Sequence, residues 1–451
     1  MVRKRGYLQR KYMIETYSRD SLIIISQISV PFPQSTHPNI KYNFENLIYQ
    51  KGKYRLFYSW FNWGERRKRL SLIDFDERGA LLNHIISIDS SNANNERKAG
   101  DFSVINLASK GEFLCVHNQK FFDTVNVKLS SFDFEGRKLK SQTFFIGPSF
   151  GEQYYSFIGE DGVLYYILRG KKSGKNKEWK IKTFSPESGE PFEVLLNHPE
   201  LKKQKISPFF KVIKNENGNS INLITTYSIY NDVYSPDGIY WIKFDQINKK
   251  ILSENFVPFY NFERRTMYNP YYSRMAGGVM VEVMPLEETK IKVIFESREL
   301  EKTTYYGSTV SETYFIKNIQ VFTLDTSKTI GYCKIIKDQQ VSPKNVKYTG
   351  YVSLFKNDTT SIIYNELPSN LNVKDDYKLR KLRNSRVDDT YIISANLNDT
   401  MILNRNVPFE KVNPNEVDAI LPSKYLKTKP WEVFLLREIE GKEYLCKFYY
   451  E

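Results

Sequence analysis

The sequence predicts an all-β protein, a β-propeller of six blades in which each blade is a four-stranded antiparallel meander. Three observations carry that prediction: a hairpin phrase recurs along the chain, a strand-length apolar run precedes each recurrence, and helical periodicity is almost absent. The phrase is clearest as RLSLIDFDERGALL at 69–82 and VKLSSFDFEGRKL at 127–139. Aligned on Phe75 and Phe132, Asp76 coincides with Asp133, Gly79 with Gly136 and Leu82 with Leu139. Loosened to an apolar alternation, a Phe or Leu, a turn and an apolar return, it recurs at 180–194, 240–254, 319–333 and 391–405. The anchors Phe75, Phe132, Phe184, Phe244, Leu324 and Leu397 lie 57, 52, 60, 80 and 73 residues apart in turn. Asp, Gly, Ser and Asn between the apolar runs make each recurrence a β-hairpin by its turn chemistry. Asp76 and Asp133 are accordingly turn residues rather than catalytic groups or calcium ligands.

The preceding runs are GKYRLFYSW (52–60), GEFLCVHNQ (111–119), DGVLYYILR (161–169), NSINLITTYS (219–228), IKVIFESRE (291–299) and TTSIIYNE (359–366). Run plus hairpin gives a unit of three to four strands. One such sheet cannot cover both of its apolar faces, so units stack and bury one another. Six units predict six blades, and the two longest intervals leave room for a seventh. SLIIISQISV at 21–30 reads as a strand, and 431–450 as a hairpin turning at Glu440–Gly441. The hairpin is expected to complete the last sheet, with the early strand beside it, so that paired chain ends remove open edges. Residues 1–20 read as a basic N-terminal segment and 21–451 as one propeller domain with insertions at 261–278 and 371–389. The second insertion, rich in Lys and Arg, is expected to form a short basic helix.

Hydrophobic residues make up 41% of the chain, enough for a buried core, and the 15% aromatic share favours sheet. The net charge of +14 suits anionic partners, but acidic residues intervene nearly everywhere, so the nucleic-acid reading rests on charge alone. Cys115, Cys333 and Cys446 are far apart and odd in number, which points to buried free thiols rather than disulfides or a zinc ribbon. His37, His84, His117 and His198 are scattered without metal-ligand spacing, and no nucleophile elbow, P-loop or dinucleotide fingerprint occurs, so no metal or cofactor is expected. No stretch is long and apolar enough for a membrane helix, and the basic start lacks an apolar signal core. As written the chain reads as cytoplasmic; with an upstream signal it reads as exported.

At 144–168, FFIGPSFGEQYYSFIGEDGVLYYIL resembles the six-bladed propeller proteins common in Bacteroidetes. Gly147, Pro148, Gly151 and Glu152 match their loop, and Asp161–Gly162 their turn. The resemblance implies architecture and no activity. Residues 37–60 also resemble the first blade of propeller-fold glycosidases, although His37 stands where those enzymes place an acidic residue. No Trp-Asp, kelch or sialidase signature is present.

The expected function is non-enzymatic: a binding or scaffold protein that recognises a protein or glycan through loops on one end face. The alternative is a carbohydrate-active enzyme with carboxylates in a central channel. Two stretches lead as contact regions. In FYSWFNWGERRKR (57–69), Tyr58, Trp60, Trp63, Arg66 and Arg67 offer rings beside cations, a pairing suited to stacking on sugars or bases. In 261–278, Arg264, Arg265, Tyr268, Tyr271, Tyr272 and Arg274 form the longest insertion, and Tyr and Arg are over-represented at binding hot spots.

Overall fold

The computed structural model describes residues 2–449 apart from 6–10, 18–20, 23, 31–41, 83–84, 108–109, 122–123, 147–152, 160–161, 170–178, 188–190, 208, 215–218, 229–235, 260–277, 288, 306–307, 358, 375–377, 399–400, 410 and 412–416. The chain divides into two compact units, residues 1–197 and 198–451. Strands dominate both, and the described helical turns are all short 3-10 segments.

Unit one holds four antiparallel sheets that follow one another in chain order. Sheet 1 has three strands, Val2–Arg5, Lys11–Tyr17 and Ile24–Ser29. Sheet 2 comprises Tyr42–Gln50, Lys53–Asn62, Arg67–Asp76 and Ile86–Asn92. Sheet 3 comprises Asp101–Leu107, Glu112–Phe121, Thr124–Asp133 and Lys138–Ile146. Sheet 4 comprises Gln153–Ile158, Leu164–Arg169, Trp179–Phe184 and Phe192–Leu196.

Unit two repeats the plan. Sheet 5 pairs Lys205–Ile206 and Lys211–Lys214 with Ser220–Ser228, followed by Gly238–Asp245 and Lys250–Pro258. Sheet 6 has Gly278–Glu287, the long hairpin Lys290–Tyr305 with Ser308–Asp325, and Thr329–Val341. Sheet 7 has Val352–Lys356, Thr359–Glu366, Tyr391–Leu397 and Leu403–Asn406. Sheet 8 has three strands, Asp418–Lys429, Glu432–Ile439 and Lys442–Tyr449.

Each recurring phrase is the hairpin of the third and fourth strands of a sheet, and each preceding run is the second strand. All six anchors are at most 1% exposed, which explains why their positions repeat. The turns repeat too. Asp76 Oδ1 accepts from Ala80 N, Asp133 Oδ1 accepts from Arg137 N, and Gly79 and Gly136 take φ of 84° and 85°. That left-handed backbone is open to glycine and strained for other residues.

Successive residues of a strand point to opposite faces, and here both faces are used. In sheet 2, Leu56, Tyr58, Ile73 and Phe75 pack with Ile14 and Val30 around sheet 1. Phe57, Leu70 and Leu72, one residue out of phase, pack against Phe102, Phe113, Cys115 and Phe132 of sheet 3. Sheet 3 turns Leu114, Val116, Val127 and Leu129 towards Leu164, Tyr166 and Leu168 of sheet 4. In unit two the same alternation joins sheet 5 to 6, 6 to 7 and 7 to 8. Four-stranded meanders stacked face on face in chain order are the blade organisation of a β-propeller, and this is the fold class of the chain.

Three expectations change. Among the described residues, the hairpin Glu432–Ile439 and Lys442–Tyr449 pairs with Asp418–Lys429, not with Ile24–Ser29, which pairs with Lys11–Tyr17. Apolar strands at the chain ends cannot name their partners, and both found nearer ones. The boundary drawn at residue 20 falls inside sheet 1. The described residues of the 371–389 insertion form no α-helix: Leu382–Arg383 adds a parallel strand to sheet 6, and Asn384–Asp389 is a 3-10 turn. Cys115 and Cys333 are buried and Cys446 half-buried, all as free thiols; burial raises all three, Cys333 to about 11.

Candidate functional site

The aromatic and basic hairpin at 57–69 lies at one end of sheets 2 and 3, and its neighbours sort the expected residues. Strand alternation sends Tyr58 into the core at 1% exposure, so it is a packing residue rather than a contact residue. Burial raises its phenol far above the ordinary range, opposed by Ser71. Trp60 is half-buried on the same face. Its Nε1 donates to Ser71 Oγ at 3.4 Å, Tyr42 lies 6.2 Å from its ring, and the Arg69 guanidinium sits 5.9 Å above it.

Residues 63–66 form the turn, and here Trp63 and Arg66 are exposed to solvent. Asn62 Oδ1 accepts from Gly64 N and Glu65 N, which shapes the bend. Trp63 is 38% exposed and packs edge-on against Phe61 at 4.9 Å. Arg66 is exposed at the tip with φ of 51°. Arg67 Nε donates to Asn92 Oδ1 at 2.8 Å, and Arg69 pairs with Glu65.

Sequence reasoning missed the segment that completes this surface. Residues 93–100, ANNERKAG, connect sheet 2 to sheet 3 and carry exposed Arg97 and Lys98 beside the turn. Ala93 N donates to Arg66 O at 3.0 Å, Asn95 Oδ1 caps the 3-10 turn Glu96–Ala99, and Gln119 Nε2 donates to Lys98 O at 3.0 Å. Beneath it, buried Lys68 Nζ donates to Gly100 O at 2.6 Å and to Asp101 Oδ1 at 3.1 Å. His117 Nε2 contacts Ala99 O at 2.8 Å with its ring stacked on Phe102 at 4.5 Å. Burial lowers the His117 pKa, partly offset by that carbonyl, so the ring is neutral near pH 7 and Nε2 donates. The available signal was the Asn-rich stretch before Glu-Arg-Lys, which reads as a capped turn.

Glu45, half-buried on the first strand of sheet 2, accepts from Ser59 Oγ. Burial pushes its carboxyl up; Ser59 and Lys68 oppose this and Asp101 adds to it. The end of these two sheets therefore presents an indole and three exposed cations, Arg66, Arg97 and Lys98, over a polar layer that fixes their backbone. Such a surface can stack on a flat apolar face while pairing with negative charge.

Arg264, Arg265, Tyr268, Tyr271, Tyr272 and Arg274 lie outside the described residues, as do Gly147, Pro148, Gly151, Glu152 and Asp161. Among the described residues, no group of three or more His, Cys, Asp and Glu side chains could hold a metal, and no helix is long and apolar enough to cross a membrane.

No family model matches the chain, and no curated protein matches it. Solved structures do. The β-propeller domain of the Trilobed protease from Pyrococcus furiosus is 8% identical, covering 90% of this chain and 95% of that one at a TM-score of 0.35. Prolyl oligopeptidase B from Galerina marginata is 8% identical at a TM-score of 0.39, and 95% of this chain spans 51% of that one. The catalytic domain of the Coprinopsis cinerea GH62 alpha-L-arabinofuranosidase is 12% identical, covering 63% of this chain and 86% of that one at a TM-score of 0.27. Likenesses this loose lend no site, and the fold class stands on strand order and packing.

Proposed function

We propose that this chain is a non-enzymatic propeller binding module of six blades, related to the Bacteroidetes proteins it resembles, that engages a protein or glycan through connections at one end of its sheets. The observation that carries the reading is the exposed Trp63 beside Arg66, Arg97 and Lys98 on a backbone tied down by buried Lys68 and His117. A held surface loses little entropy on binding. An indole flanked by guanidinium groups favours an acidic glycan, whose ring stacks while its carboxylate or sulfate is paired. The test is a glycan array with uronic-acid and sulfated oligosaccharides, run beside a pull-down. Trp63→Ala with Arg66→Ala is expected to abolish the strongest signal. Retention of that signal in the double variant would reject this surface.

The second reading, a carbohydrate-active enzyme, is favoured by Glu45, a half-buried carboxyl with a raised pKa as a general acid requires. Its test is hydrolysis of aryl glycosides by the wild type and Glu45→Gln; hydrolysis lost in the variant would favour the enzyme.

A further inference from the structure

Unit two brings the first strands of three successive sheets to one point. Glu282 lies on Gly278–Glu287 of sheet 6, Ser353 on Val352–Lys356 of sheet 7, and Tyr425 and Lys427 on Asp418–Lys429 of sheet 8. Sheet 7 packs between the other two, so Lys427 meets Glu282 past the edge strand that carries Ser353. Lys427 Nζ donates to Glu282 Oε1 at 2.6 Å and to Ser353 Oγ at 3.2 Å, and Ser353 Oγ donates to Glu282 Oε2. The ion pair is open to water, its side chains 25% and 24% exposed. Phe355 N donates to Pro430 O at 2.7 Å from the edge of sheet 7, and by strand alternation the N–H and C=O of Ser353 face the same way. Tyr425 is 50% exposed; burial raises its phenol and Glu282 adds to the rise. Tyr351 is only 7% exposed, yet its hydroxyl has no hydrogen-bond partner among the described residues. Burial holds that phenol well above its ordinary range; Glu296, Glu282 and Tyr425 add to this and Arg298 opposes it, which puts Tyr351 within electrostatic reach of the same group.

We propose that this group binds neighbouring hydroxyls of a neutral sugar, through residues other than those of the Trp63 surface and independently of the reading given there. The ligand class follows from charge and hydrogen-bonding capacity. An ammonium paired with a carboxylate carries no net charge, so a charged ligand is drawn by one partner and repelled by the other. A hydroxyl both donates and accepts. Two hydroxyls on adjacent carbons can accept from the remaining ammonium N–H and donate to the outer lone pairs of the carboxylate, leaving the Lys427–Glu282 pair intact. Ser353 N–H and C=O offer a further donor and acceptor. The Tyr351 hydroxyl is a buried polar group still lacking a partner, which such a ligand can supply. The half-exposed ring of Tyr425 gives the C–H face of a sugar an apolar surface, and an aromatic wall with a few placed polar groups is the usual make-up of a small-ligand site. A serine–lysine nucleophile does not fit. Ser353 is 3% exposed and gives its proton to Glu282, so Lys427 does not stand as the base of an activated hydroxyl.

The test is saturation-transfer difference NMR of the full chain with the methyl glycosides of glucose, galactose and mannose, each at about 10 mM, a concentration that detects millimolar binding. Saturation of the ring C–H protons of at least one glycoside is expected. Glu282→Gln keeps the shape of the side chain and removes its charge, and is expected to weaken that glycoside at least about tenfold. Tyr425→Ala leaves the ion pair untouched and is expected to weaken it several-fold, with the thermal midpoint unchanged because the ring is half exposed. Deoxy analogues that break up the hydroxyl pair should lose affinity in the wild type as well. No saturation of any of the three glycosides, wild-type affinity in both variants, or a uronate bound more tightly than its neutral parent sugar overturns the proposal.

Discussion

At the scale of single residues, the sheet interiors hold charges that hydrophobic patterning does not reveal. Glu366 is fully buried at the end of the strand Thr359–Glu366, and burial pushes its carboxyl up to about 7; Leu367 N–H, the Asn370 amide and Lys337 pull it back, and Asp338 adds to the rise. The folded chain therefore holds this proton more tightly than the unfolded chain does. Its stabilising contribution is complete below the ordinary carboxylate range and is lost as pH rises from there through about 7. Glu366→Gln imitates the protonated form. It is expected to match wild type at about pH 4.5 and to exceed it by about 3 kcal/mol at about pH 8 in urea unfolding. An equal increment at both pH values would sink the assignment. Arg55 and Asp74 pose the opposite case: a bidentate pair at 2.8 Å, 3% and 1% exposed, with the guanidinium also reaching Phe134 O across the sheet 2–3 interface. Asp74→Ala strands a buried cation and is expected to cost about 3–5 kcal/mol, whereas Arg55→Met with Asp74→Leu is expected to be near neutral. Equal losses in both variants would show that packing, not charge, sets the cost. Neither residue stood out in the sequence, because Arg55 in GKYRLFYSW occupies an ordinary polar position of an alternating strand until its register with Asp74 is known.

At the scale of elements, what is local was legible and what is long-range was not. The hairpins of Phe75 and Phe132 could be read because Asp, Gly and the flanking apolar residues fix a turn within a few positions. Glu440–Gly441, with φ of 51° and 74°, was read the same way. The strand Leu382–Arg383 and the 93–100 connection depend on partners tens of residues away, while the end strands, expected to meet across the chain, pair with their sequence neighbours. On the candidate surface Trp63 and Arg66 are exposed, as a turn position implies, Tyr58 was placed outside when it is buried, and Arg97 and Lys98 were overlooked. Gly100 shows how tightly that connection is held. Its φ is 77°, and a Cβ there would lie 2.1 Å from Asn118 O. Gly100→Ala is expected to cost at least about 1–3 kcal/mol from backbone strain alone and to weaken ligand binding by Trp63 and Arg66 with it. Unchanged denaturant midpoints would mean that the connection yields without consequence.

At the scale of the whole molecule, series stacking makes stability a property of neighbours. Sheet repetition was visible in the spacing of the anchors, since every sheet must offer the same apolar positions to the sheets beside it. Which face meets which sheet was not, because a shift of one residue exchanges the two faces. Within unit two, sheet 8 covers Val352, Leu354, Ile363 and Ile392 of sheet 7 with Ile420, Val433, Leu435 and Phe448. Sheet 7 in turn covers Ile294, Ile319 and Val321 of sheet 6 with Ile362, Tyr364 and Ile393. Each buried aliphatic or aromatic side chain contributes about 1.5–3 kcal/mol, so losing a cover is costly next to it and cheap two sheets away. If the coupling is nearest-neighbour, as in stacked repeats, the double variant Leu435→Ala with Val433→Ala should lower amide-exchange protection most in sheets 7 and 8. It should do so less in sheet 6 and least in sheet 5. Native-state hydrogen exchange resolves this gradient strand by strand. A uniform drop across unit two would instead mean that its sheets open as one cooperative body, and that no blade can be weakened without weakening them all.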